Sequence, residues 1–441
     1  MEFMSQQAAR LIVETLRAAG HQALFAGGAV RDHLLQRPAA DFDVATSAPP
    51  DAVMRLFPDH TPVGAQFGVV LVRELGAQIE VATFRTETSY KDGRHPTSVA
   101  YASTPEADVA RRDFTINALL LDPATGTVLD FVGGRQDLAA GVIRAVGDPE
   151  RRFSEDRLRM LRAVRFAARL GFEIEPQTWA AIERQAGEIT RISAERVRDE
   201  ILKMLTEGRA RRAFELLDRS GLLTAVLPEV AAMKGVEQPP QYHPEGDVWT
   251  HTLMMLERLP AGVTPALALG VLLHDVGKPP TFRRAPDRIR FDRHAPVGAV
   301  MARAIGRRLR LSSAACEQVE ALVAEHMKWP ELPKMREATR KRFLRRPDIE
   351  AQLSLLRLDC ESSHGDLSLY QLARQMLAAQ PPEQLRPPRL LTGEDLIAMG
   401  YRPGPRFRPI LDAVEDAQLE GRVADAQAAR QFVSRHFPVS H

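Results

Sequence analysis

Two aspartates, Asp41 and Asp43, stand two residues apart in Asp41-Phe42-Asp43-Val44-Ala45. In an extended strand that spacing sends both carboxylates off one face, with Phe42 and Val44 off the other. Two like charges held side by side repel, and a divalent cation relieves them. Upstream, Ala26-Gly27-Gly28-Ala29-Val30-Arg31-Asp32 follows the apolar pair Leu24-Phe25. The glycines permit a tight turn, and the helix read over Val30 to Leu35 would offer backbone N–H groups to a phosphate. A carboxylate pair beside a phosphate-binding turn is what phosphoryl or nucleotidyl transfer needs. Taken singly, an Asp-x-Asp is ordinarily a solvated strand end and a Gly-Gly an ordinary turn. Their pairing within one strand–helix–strand unit carries the reading.

Further residues fit the same chemistry. Glu80, between Ile79 and Val81, is either a third metal carboxylate or a solubilising acid on an edge strand. Arg111-Arg112-Asp113 and Asn117 stand among apolar residues. Arginines clamp phosphates, and an Asp or Asn holds ribose hydroxyls. Asp156, Arg159 and Arg162 recur at helical spacing over Ser154 to Phe166, with Arg165 continuing the row; a salt-bridged solvated helix is the plain alternative. The polar stretch Glu87 to Thr97 has turn chemistry and no periodicity, as a loop closing over substrate would. A second constellation lies downstream: His243-Pro244-Glu245, His251, His274-Asp275-Val276-Gly277-Lys278, His294, His326 and Asp359. Adjacent His274-Asp275 inside an apolar helix is hard to explain as packing.

The elements that must position these groups are legible in outline. Residues 5–19 read as an amphipathic helix with Ala8, Leu11, Ile12, Leu16 and Ala19 on one side. A helix follows from Pro50 through Phe57, then strands over Gly68–Val72, Gln78–Ala82 and 127–131. Beyond Val146 the pattern is helical throughout. The 441 residues exceed one ordinary core, so several domains are expected. With 44% hydrophobic and 26% charged residues, the composition is that of a globular protein. No apolar run is long enough to span a membrane. The first ten residues lack the apolar core of a secretory signal, and Cys316 and Cys360 form no C-x-x-C pair. A cytoplasmic, reducing setting is the expectation. Net charge is only +2, yet residues 144–169 hold eight arginines against four acids, and 301–346 hold twelve Lys/Arg against five. Such stripes suit a nucleic-acid backbone or a solvated helix face.

In order, Gly27-Gly28-Ala29-Val30-Arg31-Asp32, Asp41-x-Asp43, Arg111-Arg112-Asp113-x-x-x-Asn117, Glu155-Asp156-x-x-Arg159 and Ala194-Glu195-Arg196 resemble the motifs of the class II CCA-adding tRNA nucleotidyltransferases and the related bacterial poly(A) polymerases. The resemblance covers residues 20–210. It implies a multidomain α+β chain: a polymerase-β-like nucleotidyltransferase head over 1–146, a helical neck over 147–210, a helical body over 211–375 and a tRNA-binding tail over 376–441. It further implies that Asp41 and Asp43 hold Mg²⁺ and that Gly28 and Arg31 bind the triphosphate. Arg112, Asp113 and Asn117 would hold phosphate and ribose, and Asp156 and Arg159 would read the base, with Arg162 and Arg165 on phosphates. The chemistry agrees with that base reading. Cytosine and adenine each set an amino donor beside a ring-nitrogen acceptor, which a carboxylate and a guanidinium match. Uracil and guanine present the reverse pattern.

The second constellation resembles the HD metal-dependent phosphohydrolases, over about 243–360. Its ligands would then be His251, His274, Asp275 and Asp359, with His294 and His326 completing a second metal site or binding phosphate. Imidazole with carboxylate suits Mn, Ni, Co or Zn better than Mg. The expected activity is template-independent addition or repair of the 3′-terminal CCA of tRNA from CTP and ATP, with the tail on the acceptor/T-arm and a phosphohydrolase beside it. Poly(A) polymerase, CC-only or A-only addition, an HD phosphohydrolase with a silent head, and a pure RNA-binding protein are the alternatives.

Overall fold

A computed structural model describes residues 2–39, 42–62, 68–87 and 99–438. Asp41 and nearly all of the polar stretch from Glu87 to Thr97 lie outside these residues. The chain divides into two compact units, Met1–Ala231 with Pro260–Gly262, and Ala232–Leu259 with Val263–His441.

The first unit is built on a seven-stranded sheet, ordered β3-β4-β5-β2-β1-β8-β9 among the described residues. The strands are β1 (Ala23–Ala26), β2 (Asp43–Thr46), β3 (His60–Thr61), β4 (Val69–Glu74), β5 (Ala77–Thr83), β8 (Leu120–Leu121) and β9 (Val128–Leu129); β6 (Arg85–Glu87) and β7 (Val99–Tyr101) form a separate hairpin. β1, buried along its whole length, runs antiparallel to β2 and β8, and β2 runs parallel to β5. Burial on both sides of β1 explains its unbroken apolar run. Phe42 and Val44 are buried, and Phe42 meets Phe25 edge-on at 5.3 Å. Alternation then places Asp43 on the other face, with Ala45.

The helix Glu2–Ala18 packs on β1, β2, β4 and β5. Its buried face is Ala8, Ala9, Ile12, Val13 and Leu16, whereas Leu11 and Ala19 are exposed. The expected face was therefore turned by about one residue, because Ala9 and Val13 complete the 3.6-residue stripe better than Leu11 does. The 111–119 segment is a single 3₁₀ turn, Thr115–Asn117, after the short helix Pro105–Val109.

The neck is also interrupted. Helices Pro149–Glu155 and Leu158–Leu170 are separated at Asp156, whose backbone is extended. Asp156 is therefore not on one helix with Arg159. Its carboxylate accepts a hydrogen bond from Leu158 N at 3.1 Å, the capping role that lets a short acid end one helix and start the next.

In the second unit the helix Pro265–Leu273 is apolar on every side and buried from Ala268 onward, as the central element of a bundle must be. Helices Val248–Arg258, Ser313–Glu325 and Ile349–Ser362 pack on it. Close approach is made at glycines. A Cβ on Gly270 would sit 2.7 Å from Leu322 Cδ1. One on Gly277 would sit 2.1 Å from His294 O and 2.6 Å from Gly298 N. Helices Gly393–Ala398, Phe407–Leu419 and Ala426–His436 close around a separate core of Leu391, Leu396, Ile410, Val414 and Val433.

One glycine in the head tests how tightly the 115–117 turn is seated. A Cβ on Gly134 would lie 2.2 Å from Thr115 O, a backbone atom with nowhere to go. Gly134→Ala should destabilise the protein by about 1–3 kcal/mol, the range for overpacking. Gly187→Ala, with nothing within 4 Å, should stay near wild type in the same denaturant titration.

Candidate functional site

A cleft of about 490 Å³ opens in the first unit. Gly27, Gly28, Arg31, Asp43, Arg111, Arg112, Asp113, Asn117, Asp156, Arg159 and Arg162 all line it. The head thus supplies one wall and the Leu158–Leu170 region the other. Gly27 has φ +72°, and a Cβ there would meet Asp43 Oδ2 at 3.3 Å and Arg112 Nη1 at 3.7 Å. The backbone conformation calls for glycine, and a Cβ there would press lightly on the Asp43 carboxylate.

Buried polar groups set the positions of the rest. Asp108, almost wholly buried, pairs with Arg111 at 2.6 Å and Arg112 at 3.1 Å. Burial alone would raise its carboxyl, but the two guanidinia hold it below the ordinary range. Arg112 Nη1 also donates to Asn117 O at 3.1 Å. Arg31 is buried; it donates to Asp32 Oδ1 at 2.8 Å and to Asn117 Oδ1 at 2.7 Å. The Asn117 amide donates to Asp113 Oδ1 at 3.2 Å, and Arg162 Nε to Asp113 Oδ2 at 2.8 Å. Here too burial would raise the Asp113 carboxyl, and Arg162, Asn117 and Arg159 outweigh it.

Each base-reading candidate is held by a neighbour. Arg196 grips Asp156 with two bonds, at 3.1 and 2.7 Å. Arg159 donates to Glu155 Oε2 at 3.1 Å, to Arg152 O at 3.0 Å and to Arg111 O at 3.1 Å. Arg165 does not line the cleft. It is buried, donates to Glu200 at 2.6 Å and lies over the Phe166 ring at 4.4 Å, because its helix position turns it toward the Ala194–Thr206 helix. Glu80 is also absent from the lining and is exposed. Its strand β5 lies between β4 and β2, which removes the edge-strand reading. The parallel register Val44–Val81 places it next to Asp43 along the sheet. Phe166 and Arg169 line the cleft as well; the available signal was their four-residue spacing, Phe166 from Arg162 and Arg169 from Arg165.

The second unit gathers the other constellation. His251, His274 and Asp359 bring ligand atoms within 4.8 Å of one another, and so do Asp275, His294 and His326. The four expected HD ligands are thus shared between two abutting triads. Asp275 joins them: Oδ2 lies 3.1 Å from His274 Nε2, and Oδ1 lies 3.6 and 3.8 Å from His294 and His326 Nε2. His274, His294 and His326 each set Nδ1 against the carbonyl three residues earlier, at 2.9, 3.0 and 2.7 Å. A carbonyl only accepts, so Nδ1 carries the proton and Nε2 presents a lone pair to the centre. His294 and His326 then face each other nitrogen to nitrogen at 3.2 Å. Two lone pairs so placed suit a shared cation.

Burial pushes His326 down to about 4. For His251 burial acts the same way, but Asp359 and Glu245 outweigh it and raise the ring to about 9. His243, Glu245 and Lys278 have no role legible in the sequence. Glu245 Oε1 lies 2.9 Å from His243 Nδ1 and 2.7 Å from His251 Nδ1. Buried Lys278 bonds Asp275 at 2.7 Å and Gln238 at 2.5 Å.

A sheet-based head with this cleft defines a polymerase-type nucleotide-binding domain, and the family comparisons agree. Residues 23–144 match the poly A polymerase head domain, 171–234 the probable RNA and SrmB-binding site of polymerase A, and 247–355 the HD domain. A CCA-adding enzyme of Geobacillus sp. (strain WCH70) is 47% identical over 211 residues, 48% of this chain and 52% of the relative. One from Latilactobacillus sakei is 41% identical over 269 residues, 60% of this chain and 66% of the relative. The chain thus spans about half the length of the first of these relatives. The crystal structure of the Bacillus stearothermophilus CCA-adding enzyme in complex with CTP superposes with a TM-score of 0.74 at 28% identity, covering 97% of this chain and 98% of that one. The chain thus carries a poly A polymerase head domain followed by an HD domain, and the relatives and solved structures it resembles are CCA-adding enzymes.

The Asp108 clamp gives a stability prediction. Its folded carboxyl is depressed, so its contribution is present above the unfolded carboxylate range and is lost as pH falls through the folded value. Asp108→Ala should cost about 3 kcal/mol at neutral pH, the low end for breaking a buried pair. Its stability should also fall less steeply on acidification than wild type, measured by urea midpoints from pH 7 to pH 3.

Proposed function

We propose that the chain is a template-independent RNA nucleotidyltransferase that builds or repairs the 3′-terminal CCA of tRNA from CTP and ATP, releasing diphosphate. One observation carries the reading: Asp43, the Gly27 turn and Arg112 share a single cleft with Asp156 and Arg159. The relative solved with CTP supports it. The domain limits are taken as a head over 1–146, a neck over 147–210, a body over 211–375 and a tail over 376–441. The tail would meet the acceptor/T-arm of the tRNA. Two free cysteines and a tRNA substrate suit the cytoplasm. No helix among the described residues is long and apolar enough to cross a membrane.

Asp43, with Asp41 and beside Glu80, fits divalent Mg²⁺: it presents a carboxylate to a space that a single methyl group on Gly27 would crowd. Bound there, the metal would acidify the RNA 3′-hydroxyl and neutralise the triphosphate. Arg111, Arg112, Arg162 and Arg169 give the cleft the positive lining that a triphosphate requires. Gly28 and Arg31 line the cleft where the triphosphate would bind, and Arg31 also fixes Asn117, so that Asn117 and Asp113 face the ribose. Asp156 accepts from the exocyclic amino group of cytosine or adenine, and Arg159 donates to the ring nitrogen. Arg196 aims the carboxylate, which makes it a positioning residue.

Asp43→Ala should abolish nucleotide addition on tRNA lacking its last three nucleotides, with the fold intact by circular dichroism. Asp156→Ala or Arg159→Ala should relax the exclusion of UTP and GTP, at a discrimination cost on the order of 1–3 kcal/mol. Product lengths with each nucleotide alone separate full CCA addition from CC-only, A-only or poly(A) addition. UTP excluded as strictly as in wild type would refute the base-reading assignment.

A second activity is favoured by the facing histidine nitrogens: hydrolysis of phosphate esters at the HD centre with a transition metal such as Mn, Ni, Co or Zn. His251, His274 and Asp359 would hold one ion, and Asp275, His294 and His326 a second. His274→Ala combined with Asp275→Ala should remove phosphatase activity and spare nucleotide addition, since the two sites share no residue.

A further inference from the structure

His251 differs from the other imidazoles of the HD centre in what its Nδ1 faces. In His274, His294 and His326 a backbone carbonyl takes the Nδ1 proton, so only Nε2 can ligate. His251 Nδ1 is buried and meets no such carbonyl. It faces Glu245 Oε1 at 2.7 Å, off the line of a hydrogen bond. The same oxygen lies 2.9 Å from His243 Nδ1, and the other carboxylate oxygen is buried without a partner. The Glu245 side chain is only 4% exposed. The loop that carries these groups is pinned. Gly246 N bonds His243 O at 3.1 Å, Gln238 N bonds Gly246 O at 2.8 Å, and Asp247 caps the helix bearing His251. Ligand atoms of His243, Glu245 and His251 all lie within 4.8 Å of one another.

We propose that His243, Glu245 and His251 form a further transition-metal site, and that it takes turns with the His251–His274–Asp359 group for the single His251 ring. Two imidazoles and a carboxylate are a zinc donor set, three protein ligands with a fourth place for water. An ion about 2.1 Å from each ligand holds its ligand atoms roughly 3 Å apart, the spacing that Glu245 Oε1 keeps to both rings. An oxygen close to a ring nitrogen but off its lone-pair axis is where a second ligand of a shared ion stands. His243 lines the HD cleft of about 500 Å³, which gives the ion and its water a way in. Ligation moves the His243 proton from Nδ1 to Nε2. Turn-taking follows from the His251 ring, since a neutral imidazole has one lone pair. Ligation through Nδ1 puts its proton on Nε2, where Asp359 Oδ1 stands 3.1 Å away. Ligation through Nε2 returns the proton to Nδ1, against Glu245. An ion on the Glu245 side thus withdraws a ligand from the hydrolytic centre. The turn-taking rests on the reading of His251, His274 and Asp359 as an ion-holding group; the site itself does not.

Bound zinc per full chain, counted after dialysis against chelator-buffered Zn²⁺ with excess Mg²⁺ to cover the head, tests both parts without turnover. Wild type, His243→Ala, Asp359→Ala and the variant carrying both changes are compared. Ions held by Asp275, His294 and His326 are common to all four and cancel. Each single variant should bind as much zinc as wild type, because His251 passes its one ion to the remaining group. The double variant should lose about one ion per chain, since neither group keeps three ligands. The site is overturned if the double variant loses no ion, or if Asp359→Ala alone loses one. A loss in both single variants shows two ions held at once and overturns the turn-taking. A loss in His243→Ala alone leaves the site standing and removes the reading of His251, His274 and Asp359 as an ion-holding group. His274→Ala takes the place of Asp359→Ala should circular dichroism show the latter unfolded, so the comparison is kept in either case.

Discussion

The chain of hydrogen bonds Arg31–Asn117–Asp113–Arg162 ties the cleft together. It runs from the glycine turn, through the 3₁₀ turn, to the neck helix, and its central members are buried. Buried polar groups are costly unless each finds its partner, so the chain forms as a whole or not at all. The surrounding elements serve it. Strand β1 ends where Gly27 must turn, and Gly134 lets the next helix seat the 115–117 turn. Phe166 lies under the guanidinia of Arg31, Arg162 and Arg165 at 5.3, 5.2 and 4.4 Å. A single ring thus gathers three cations whose mutual repulsion is offset by Asp32, Asp113 and Glu200.

The second unit solves a different problem by related means. Its polar centre lies among apolar helices, and the backbone fixes its imidazoles. Three carbonyls choose the tautomers of His274, His294 and His326, and Glu245 orients His243 and His251. The histidines of this centre come from positions far apart in the chain, yet each ring is oriented from within its own helical turn or loop. Local geometry aims the ligands and the bundle brings them together.

Much of this was legible from residue types and spacing, and what escaped has physical causes. Period-two alternation gave the Asp43 face, and glycine beside an apolar strand gave the turn. The proline-led helix at Pro50 was also plain, as was the buried apolar helix, though it ends at Leu273 and leaves His274 and Asp275 in the turn just beyond it. The break at Asp156 was hidden because the helical spacing of arginines continues across it; only the capping preference of an aspartate could have shown it. Arg165 follows the same row as Arg162, yet tertiary packing turned it onto Glu200, an acid thirty-five positions away that no local pattern reveals. Leu11 reads as core by hydrophobicity alone, whereas Ala9 and Val13 complete the buried 3.6-residue stripe and leave Leu11 exposed. Glu245 and His243 were visible as residues, but only the fold shows one Glu245 oxygen shared by His243 and His251.

The glycine at position 277 has a bearing on how this sequence can drift. Its backbone rests directly on that of the helix bearing His294, and the same contact holds Gly298. The separation between His294 and Asp275, 3.6 Å, is therefore set by main chain against main chain, with no side chain to act as a cushion. Side-chain contacts can be repacked by paired substitutions elsewhere, whereas a backbone contact has no such partner. A single added methyl group would wedge the two ligands apart. Paths of neutral change through this segment are thus narrow, and the centre would be lost abruptly rather than by gradual erosion.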